Sequence, residues 1–541
     1  MIIIMDIPVL PDVLEDRPPS SVDWGEFHSS LKGSPGLKRL YTKQWSYRYN
    51  VEQTRMNTDP FVRKSMKLWD SEVYAEQYGQ TKKAVLAEGL DSFKNFSRWQ
   101  RNKPVDPKFR ISYQQALKDA VRVFTPHEPL FRTSVPDVCD QMNVDTAAGF
   151  SFPSKRKSEC IEEIFDTASY IAHFIAADKH IFIPPCKLAL RGHLAPVEER
   201  KTRCVWVYPA EISVLEGKWA LPYYKFLEEE VPTVHFGEGA MQKLAKMLVG
   251  GLATGDECTE VTLDWSQFDS NVPNWMIDDA FDIVFNSFDE TATMHQGDLV
   301  YGGKKMEMKN VAVKEFIKTY FKKTKIMLPD GSVYHKNHGI PSGSFFTQII
   351  GSIVNYIAIR TMNYLNGWNA RRTRVLGDDS TFLIPLGRGK VEAESVSAQA
   401  WSLFGFVLKK KKLRIAEKQV DRKFLGYQIS AYRYERPTSE WMSMVLYPER
   451  DVEFLEQSAS RVFAFYLLGG CNDAYYTSFF HDYIRRYPII FGRELPLTSG
   501  LKRMFRFVFR YRVDKLVFPS LEHLDALSVP FSLSLGDKPF G

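Results

Sequence analysis

The apolar residues of this chain recur with different spacings along its length, and each spacing predicts an element. From about residue 60 to 125 they follow helical periodicity among many charges. Val135 to Pro153 breaks into Gly and Pro, as a loop does. Residues 181 to 209 hold short apolar runs, Ile181-Phe182-Ile183 and Val205-Trp206-Val207, around basic residues; that pattern predicts a strand, a basic loop and a second strand. Val261-Thr262-Leu263 reads as a short strand ending at Asp264. The turn-like Trp265-Ser266-Gln267-Phe268-Asp269 follows, and after Pro273 comes a helix with Met276, Ala280, Val284 and Phe288 at every fourth position. His338-Gly339-Ile340-Pro341-Ser342-Gly343-Ser344 cannot be helical. The long helix after it carries Ile349, Ile350, Ile353, Val354 and Ile357 on one side. Two apolar runs flank Gly377-Asp378-Asp379, which predicts a tight hairpin with two acids at its tip. The first forty residues, rich in Pro, Ser and Gly, read as an extended arm laid over the body.

Composition narrows the class without naming it. A chain of 541 residues is too long for one ordinary core and implies roughly two to four subdomains. A net charge of +6 permits nucleic-acid binding but does not demand it. The six cysteines form no C-x-x-C pair and have no His at zinc spacing, so they read as free thiols of a reducing compartment. Met1 to Met5 is a short apolar run without the basic start of a signal peptide, and no run of about 18 apolar residues predicts a membrane span. Work at a membrane would need a partner.

The acids point to one chemistry. Nucleotidyl transfer asks for two divalent cations about 4 Å apart, one at the 3′-hydroxyl and one at the triphosphate. Mg²⁺, with Mn²⁺ as a substitute, takes one or two carboxylates plus phosphate oxygens and water. Asp264 at a strand end and Asp378 and Asp379 at a hairpin tip are such a supply. Each piece alone is bland: Gly-Asp-Asp is a common surface turn, and Asp264 with Asp269 suits a helix N-terminus. Order and spacing together remove the bland readings: D-x4-D, then S-G-x3-T, then G-D-D.

These blocks resemble motifs A, B and C of viral RNA-dependent RNA polymerases: Asp264 to Asp269, Ser342-Gly343 with Thr347, and Gly377-Asp378-Asp379. LDWSQFDSNVPNW, GIPSGSFFTQIIGSIVNYIAIR and RVLGDDSTF are most similar to partitivirus polymerases, with picobirnaviruses next. The resemblance spans roughly residues 140 to 430. It implies metal binding at Asp264, Asp378 and Asp379, and ribose selection by Asp269, Ser342 and Thr347. Thr146 to Phe150 is similar to motif G, so Thr146 and Gly149, with Ser342 and Gly343, would border the template path. Lys187, Arg191, Lys201 and Arg203 match the basic positions of motif F and would hold the triphosphate, whose negative charges need partners beyond the metals. Phe404-Gly405-Phe406 before Lys409 to Lys412 resembles motif D, where one lysine acts as general acid; Lys411 and Lys412 are both candidates. Phe424-Leu425-Gly426-Tyr427 resembles motif E. One departure stands out: where many relatives have Asn four residues after the motif B Thr, this chain has Gly351, and the nearest Asn is Asn355.

The fold implied is a closed right hand of α+β type, its palm a small antiparallel sheet. Residues 1–60 would form the arm, 61–250 the fingers, 251–289 the motif A palm, 290–337 a fingers insertion, 338–430 the rest of the palm, and 431–541 a mostly helical thumb. The resemblance also implies RNA template, product duplex and NTPs as partners, contact with a capsid protein, and work inside a virion in the host cytoplasm. Two rivals remain: a reverse transcriptase, which usually has an aromatic residue two before its Asp pair where this chain has Leu376-Gly377, and a catalytically dead RNA-binding protein, which needs no intact acids. At the C-terminal end, Arg506 and Arg510 lie one helical turn apart among Phe505, Phe507, Phe509 and Tyr511. That strip is either an ordinary thumb element or a cationic face on the product duplex.

Overall fold

In the computed structural model the described residues are 22–43, 49, 58–80, 85–193, 202–234, 258–385, 387, 391–409, 412–417, 422–429, 434–448, 451–495, 502 and 516–518. Two cores organise them. The larger is built on the long helices Pro107–Phe124, Ala210–Glu230, Asn274–Phe285 and Thr347–Asn366, packed behind a four-stranded sheet. The strand order of that sheet is Arg371–Leu376, Asp379–Pro385, Cys258–Asp264, Leu413–Glu417, all antiparallel. The Thr347–Asn366 helix is apolar nearly all round and correspondingly buried from Ile349 to Ile359.

A separate five-stranded sheet has the order Leu37–Thr42, Ser332–Lys336, Lys325–Met327, Cys186–Gly192, Thr202–Val207. The last two strands pair antiparallel with Arg191 opposite Arg203, as the apolar runs around a basic stretch predicted. The smaller core gathers the helices Thr438–Leu446, Leu455–Leu467 and Ala474–Arg486. Phe424 and Tyr427, from the short strands Arg422–Phe424 and Tyr427–Ile429, are buried in it, so this motif E hairpin joins the sheet side to the C-terminal helices. Among the described residues no helix is long and apolar enough to cross a membrane.

Three local expectations change. Residues 24 to 42 are no extended arm: Trp24–Ser30 is a helix capped by Asp23, and Leu37–Thr42 pairs with Ser332–Lys336. Phe27, Leu31 and Leu37 anchor it in the large core, an apolar content that the Pro, Ser and Gly around them masked. Val135–Gln141 is helical rather than looped, because Pro136 falls in its first turn, where a missing N–H costs nothing, and Ser134 caps it. The helix Pro60–Trp69, placed with the fingers by sequence, packs Val62 and Met66 into the C-terminal core. Its cap Asp59 accepts the N–H groups of Phe61 and Val62 and pairs with Arg461 at 2.6 Å.

Candidate active site

The sheet brings the acids together. Asp264 closes the Cys258–Asp264 strand directly opposite Asp379, the first residue of the neighbouring strand. Leu376 pairs with Asp379 across a two-residue turn, Gly377-Asp378, with Gly377 at φ 58°. A side chain there would be strained, and its Cβ would stand 2.7 Å from the Gln348 side chain.

The turn is held from behind by two polar residues of the Thr347–Asn366 helix. The Ser352 hydroxyl accepts the Gly377 N–H at 2.9 Å. Asn355, fully buried, donates to the carbonyls of Gly377 (2.9 Å) and Asp379 (3.4 Å) and accepts the Trp265 indole N–H at 2.8 Å. One amide thus ties all three motifs. The Asn nearest to the departure at residue 351 thus staples the backbone, and at Gly351 an added Cβ would stand 3.5 Å from the Gly377 Cα. Sequence reading missed Ser352, although polar residues interrupting an apolar helix were the available signal.

The electrostatics are those of crowded acids. Burial and then the charges of Asp378 and Asp264 push the Asp379 carboxyl up to about 7, against the pull of Lys412 and Lys423. Burial and Asp264 raise Asp378, with Arg203 and Lys412 opposing. Asp269 is reached by solvent but walled by protein, and burial with Asp378 lifts it to about 7 while Arg203 pulls it down. Lys412 donates to Asp264 Oδ1 at 2.6 Å. Among the described residues no three acids, histidines or cysteines stand close enough to hold a metal as they lie. Repelling carboxylates on adjacent strands nonetheless fit a hard divalent cation, which Asp264 would take in exchange for Lys412.

The other predicted residues divide. Arg203 acts on both Asp269 and Asp378. Arg191 faces it across the hairpin, exposed. Lys187 does not join them: it pairs with Val207, four residues or about 13 Å along the strand, and its ammonium lies 4.5 Å from the Tyr49 ring centre. The Ser342 hydroxyl accepts the Trp206 N–H at 3.2 Å. Gly343 presses on the same strand so closely that a Cβ would stand 1.8 Å from the Trp206 carbonyl. The Thr347 hydroxyl is spent on its own loop, 2.6 Å from the Pro341 carbonyl and 2.9 Å from that of Ser344. Thr146 is held by Asn143 and Lys157. Gly149 follows Ala148, whose carbonyl accepts the Ala210 N–H. Lys201, Lys411, Arg506 and Arg510 lie outside the described residues.

The arrangement is shared with known proteins. The chain is 30% identical over 233 residues to the RNA-directed RNA polymerase of Cryptosporidium parvum virus 1, covering 42% of this chain and 40% of that protein. It is 22% identical over 408 residues to the RNA-directed RNA polymerase of Atkinsonella hypoxylon virus, covering 66% and 60%. The matches thus span less than two thirds of these relatives' own lengths. In three dimensions it is similar to the RNA-dependent RNA polymerase of a human picobirnavirus, with a TM-score of 0.61, 14% identity, and coverage of 83% of this chain and 90% of that one. An insertion-loop deletion mutant of that polymerase matches with a TM-score of 0.60, 15% identity, and coverage of 83% and 92%. The fold is therefore the right-hand polymerase fold. The family described as viral RNA-dependent RNA polymerase matches residues 50–486, and the chain belongs to that family.

Proposed function

We propose that this chain is a template-directed RNA polymerase that transcribes and replicates a viral double-stranded RNA genome from NTPs. The observation that carries it is the pairing of Asp264 and Asp379 across neighbouring strands beside the Gly377-Asp378 turn, with burial and the charge of Asp264 raising both Asp378 and Asp379. Asp264 and Asp378 would hold both of two Mg²⁺ ions, or Mn²⁺ in their place, with Asp379 contributing less directly. Held there, the ions would supply Lewis-acid activation of a 3′-hydroxyl and charge neutralisation of the triphosphate. Arg203, near Asp269 and Asp378, would neutralise phosphate oxygens, with Arg191 across the hairpin. Asp269 would accept the ribose 2′-hydroxyl. Lys412 lies one hydrogen bond from Asp264, which supports a role for it as general acid. A capsid protein as partner and a virion interior as workplace complete the reading.

The test is extension of a labelled primer–template by the full chain with Mg²⁺ and NTPs. Extension with NTPs and not dNTPs is expected. Efficient dNTP use would favour a reverse transcriptase, and no extension with intact RNA binding would favour a dead RNA-binding protein.

A further inference from the structure

The motif B loop is gripped from outside the palm. Glu216, in the second turn of the Ala210–Glu230 helix, has no exposed surface. Its two carboxyl oxygens lie 2.9 and 2.8 Å from the Ser344 hydroxyl, and one accepts the Phe345 N–H at 2.8 Å. Tyr224, about two turns further along the same helix, donates to the Phe345 carbonyl at 2.5 Å. One helix therefore holds both backbone polar groups of Phe345. Ser344 passes the grip on by accepting the Phe346 N–H at 3.0 Å.

The gripped stretch continues directly into the site. Upstream of it, Gly343 and Ser342 rest on Trp206, in the strand that carries Arg203. Before them, the Ile340 N–H donates to the Asp269 carbonyl at 2.7 Å. A shift of Phe345 would move Ser342-Gly343 against both walls. A buried acid is costly, and among the described residues no cation pairs with this one; burial raises its carboxyl to about 8, and it keeps its place through shape-specific hydrogen bonds. The titratable groups that feel it are Tyr208, Tyr224 and Cys186.

We propose that Glu216, assisted by Tyr224, is a positioning residue that sets the Ser342-Gly343 stretch for the incoming nucleotide, and so acts on nucleotide affinity more than on the chemical step. This rests on the polymerase reading. The experiment compares Glu216→Ala, Glu216→Gln and Tyr224→Phe in the full chain, by single-nucleotide kinetics and by hydrogen exchange of residues 338–347. Glu216→Ala should raise the NTP KM about tenfold, change kcat less than about threefold, and speed exchange in the loop but not in the Cys258–Asp264 strand. Glu216→Gln should restore both readouts to within about twofold, since a neutral amide keeps a donor and an acceptor. Tyr224→Phe should fall between them, and it decides the matter if Glu216→Ala does not fold. An unchanged KM with a lowered Tm would make the clamp merely structural and overturn the proposal, as would unchanged loop exchange or a Gln variant no better than Ala. If the parent chain incorporates no nucleotide, the polymerase reading falls, and loop exchange alone decides whether Glu216 sets the loop.

Discussion

A single acid and a cluster of acids sit towards opposite ends of the Thr347–Asn366 helix, and they are treated differently. Towards its C-terminal end, buried Asp119 accepts from Arg360 Nε (2.9 Å) and a terminal guanidinium nitrogen (2.7 Å), from the Tyr364 hydroxyl (2.6 Å) and from Arg122 (2.9 Å). One carboxylate has four donors. Towards the N-terminal end, Ser352 and Asn355 hold a turn beside three carboxylates, of which Asp264 pairs with Lys412. A compensated acid builds structure. Among the described residues, the crowded acids feel only partial compensation from Arg203, Lys412 and Lys423, and burial with mutual charge keeps Asp378 and Asp379 raised.

Removing a crowded acid tests that contrast most severely. Asp264→Asn or Asp378→Asn should lower nucleotide incorporation at least about 100-fold, while RNA affinity, carried by phosphate contacts elsewhere, changes little. Single-nucleotide extension beside a binding titration reads both; near-normal turnover would place the chemistry elsewhere. The opposite end should fail the opposite way. Asp119→Ala leaves Arg360 without its carboxylate and should cost about 3 kcal/mol of stability, seen as a lower Tm, with incorporation per folded molecule kept. An unchanged Tm would erase the distinction between the two ends.

Smaller effects sharpen it. Asp269→Ala should cut the preference for NTP over dNTP about tenfold, because a site that bonds a hydroxyl discriminates by leaving its acceptor unpaired; an unchanged ratio of kcat/KM values would make Asp269 structural. Arg203→Lys keeps the charge but loses the planar fork, and should raise the NTP KM about fivefold; a change below about twofold would remove Arg203 from the triphosphate. The smallest effect concerns Glu216, whose carboxyl stands at about 8 against an ordinary 4.5. The native state keeps a proton that the unfolded chain releases, so this contribution is complete below about 4.5 and is lost as pH rises to about 8. Glutamine does not titrate. The Tm of Glu216→Gln relative to the parent should therefore rise between pH 5 and 8, by about 2–4 °C, and level off above; melting curves across that range check it.

Much of this site was legible locally. A strand ending in Asp264 and a hairpin bearing Asp378 and Asp379 follow from alternation and from a glycine in the one place where positive φ is needed. Lys187 shows the limit of such reading: it shares a strand with Arg191, yet the register opposite Val207 carries it away from Arg203. Glu216 was invisible because a glutamate in a helix ordinarily faces water, and its hydrogen-bond partners come from a loop more than a hundred residues away.

The sequence by itself determined the order of the motifs and the element type each stands on, because helix, strand and turn follow from backbone dihedral limits and from the spacing of apolar side chains. The tertiary structure decided which residues meet. It set Asp379 opposite Asp264, brought Lys412 to Asp264, closed the Pro60–Trp69 helix onto the C-terminal core and buried Glu216 against the motif B loop. These are contacts between remote segments, chosen by which faces must be buried together and which buried polar groups must find partners. Neither requirement is written in the spacing of any single stretch.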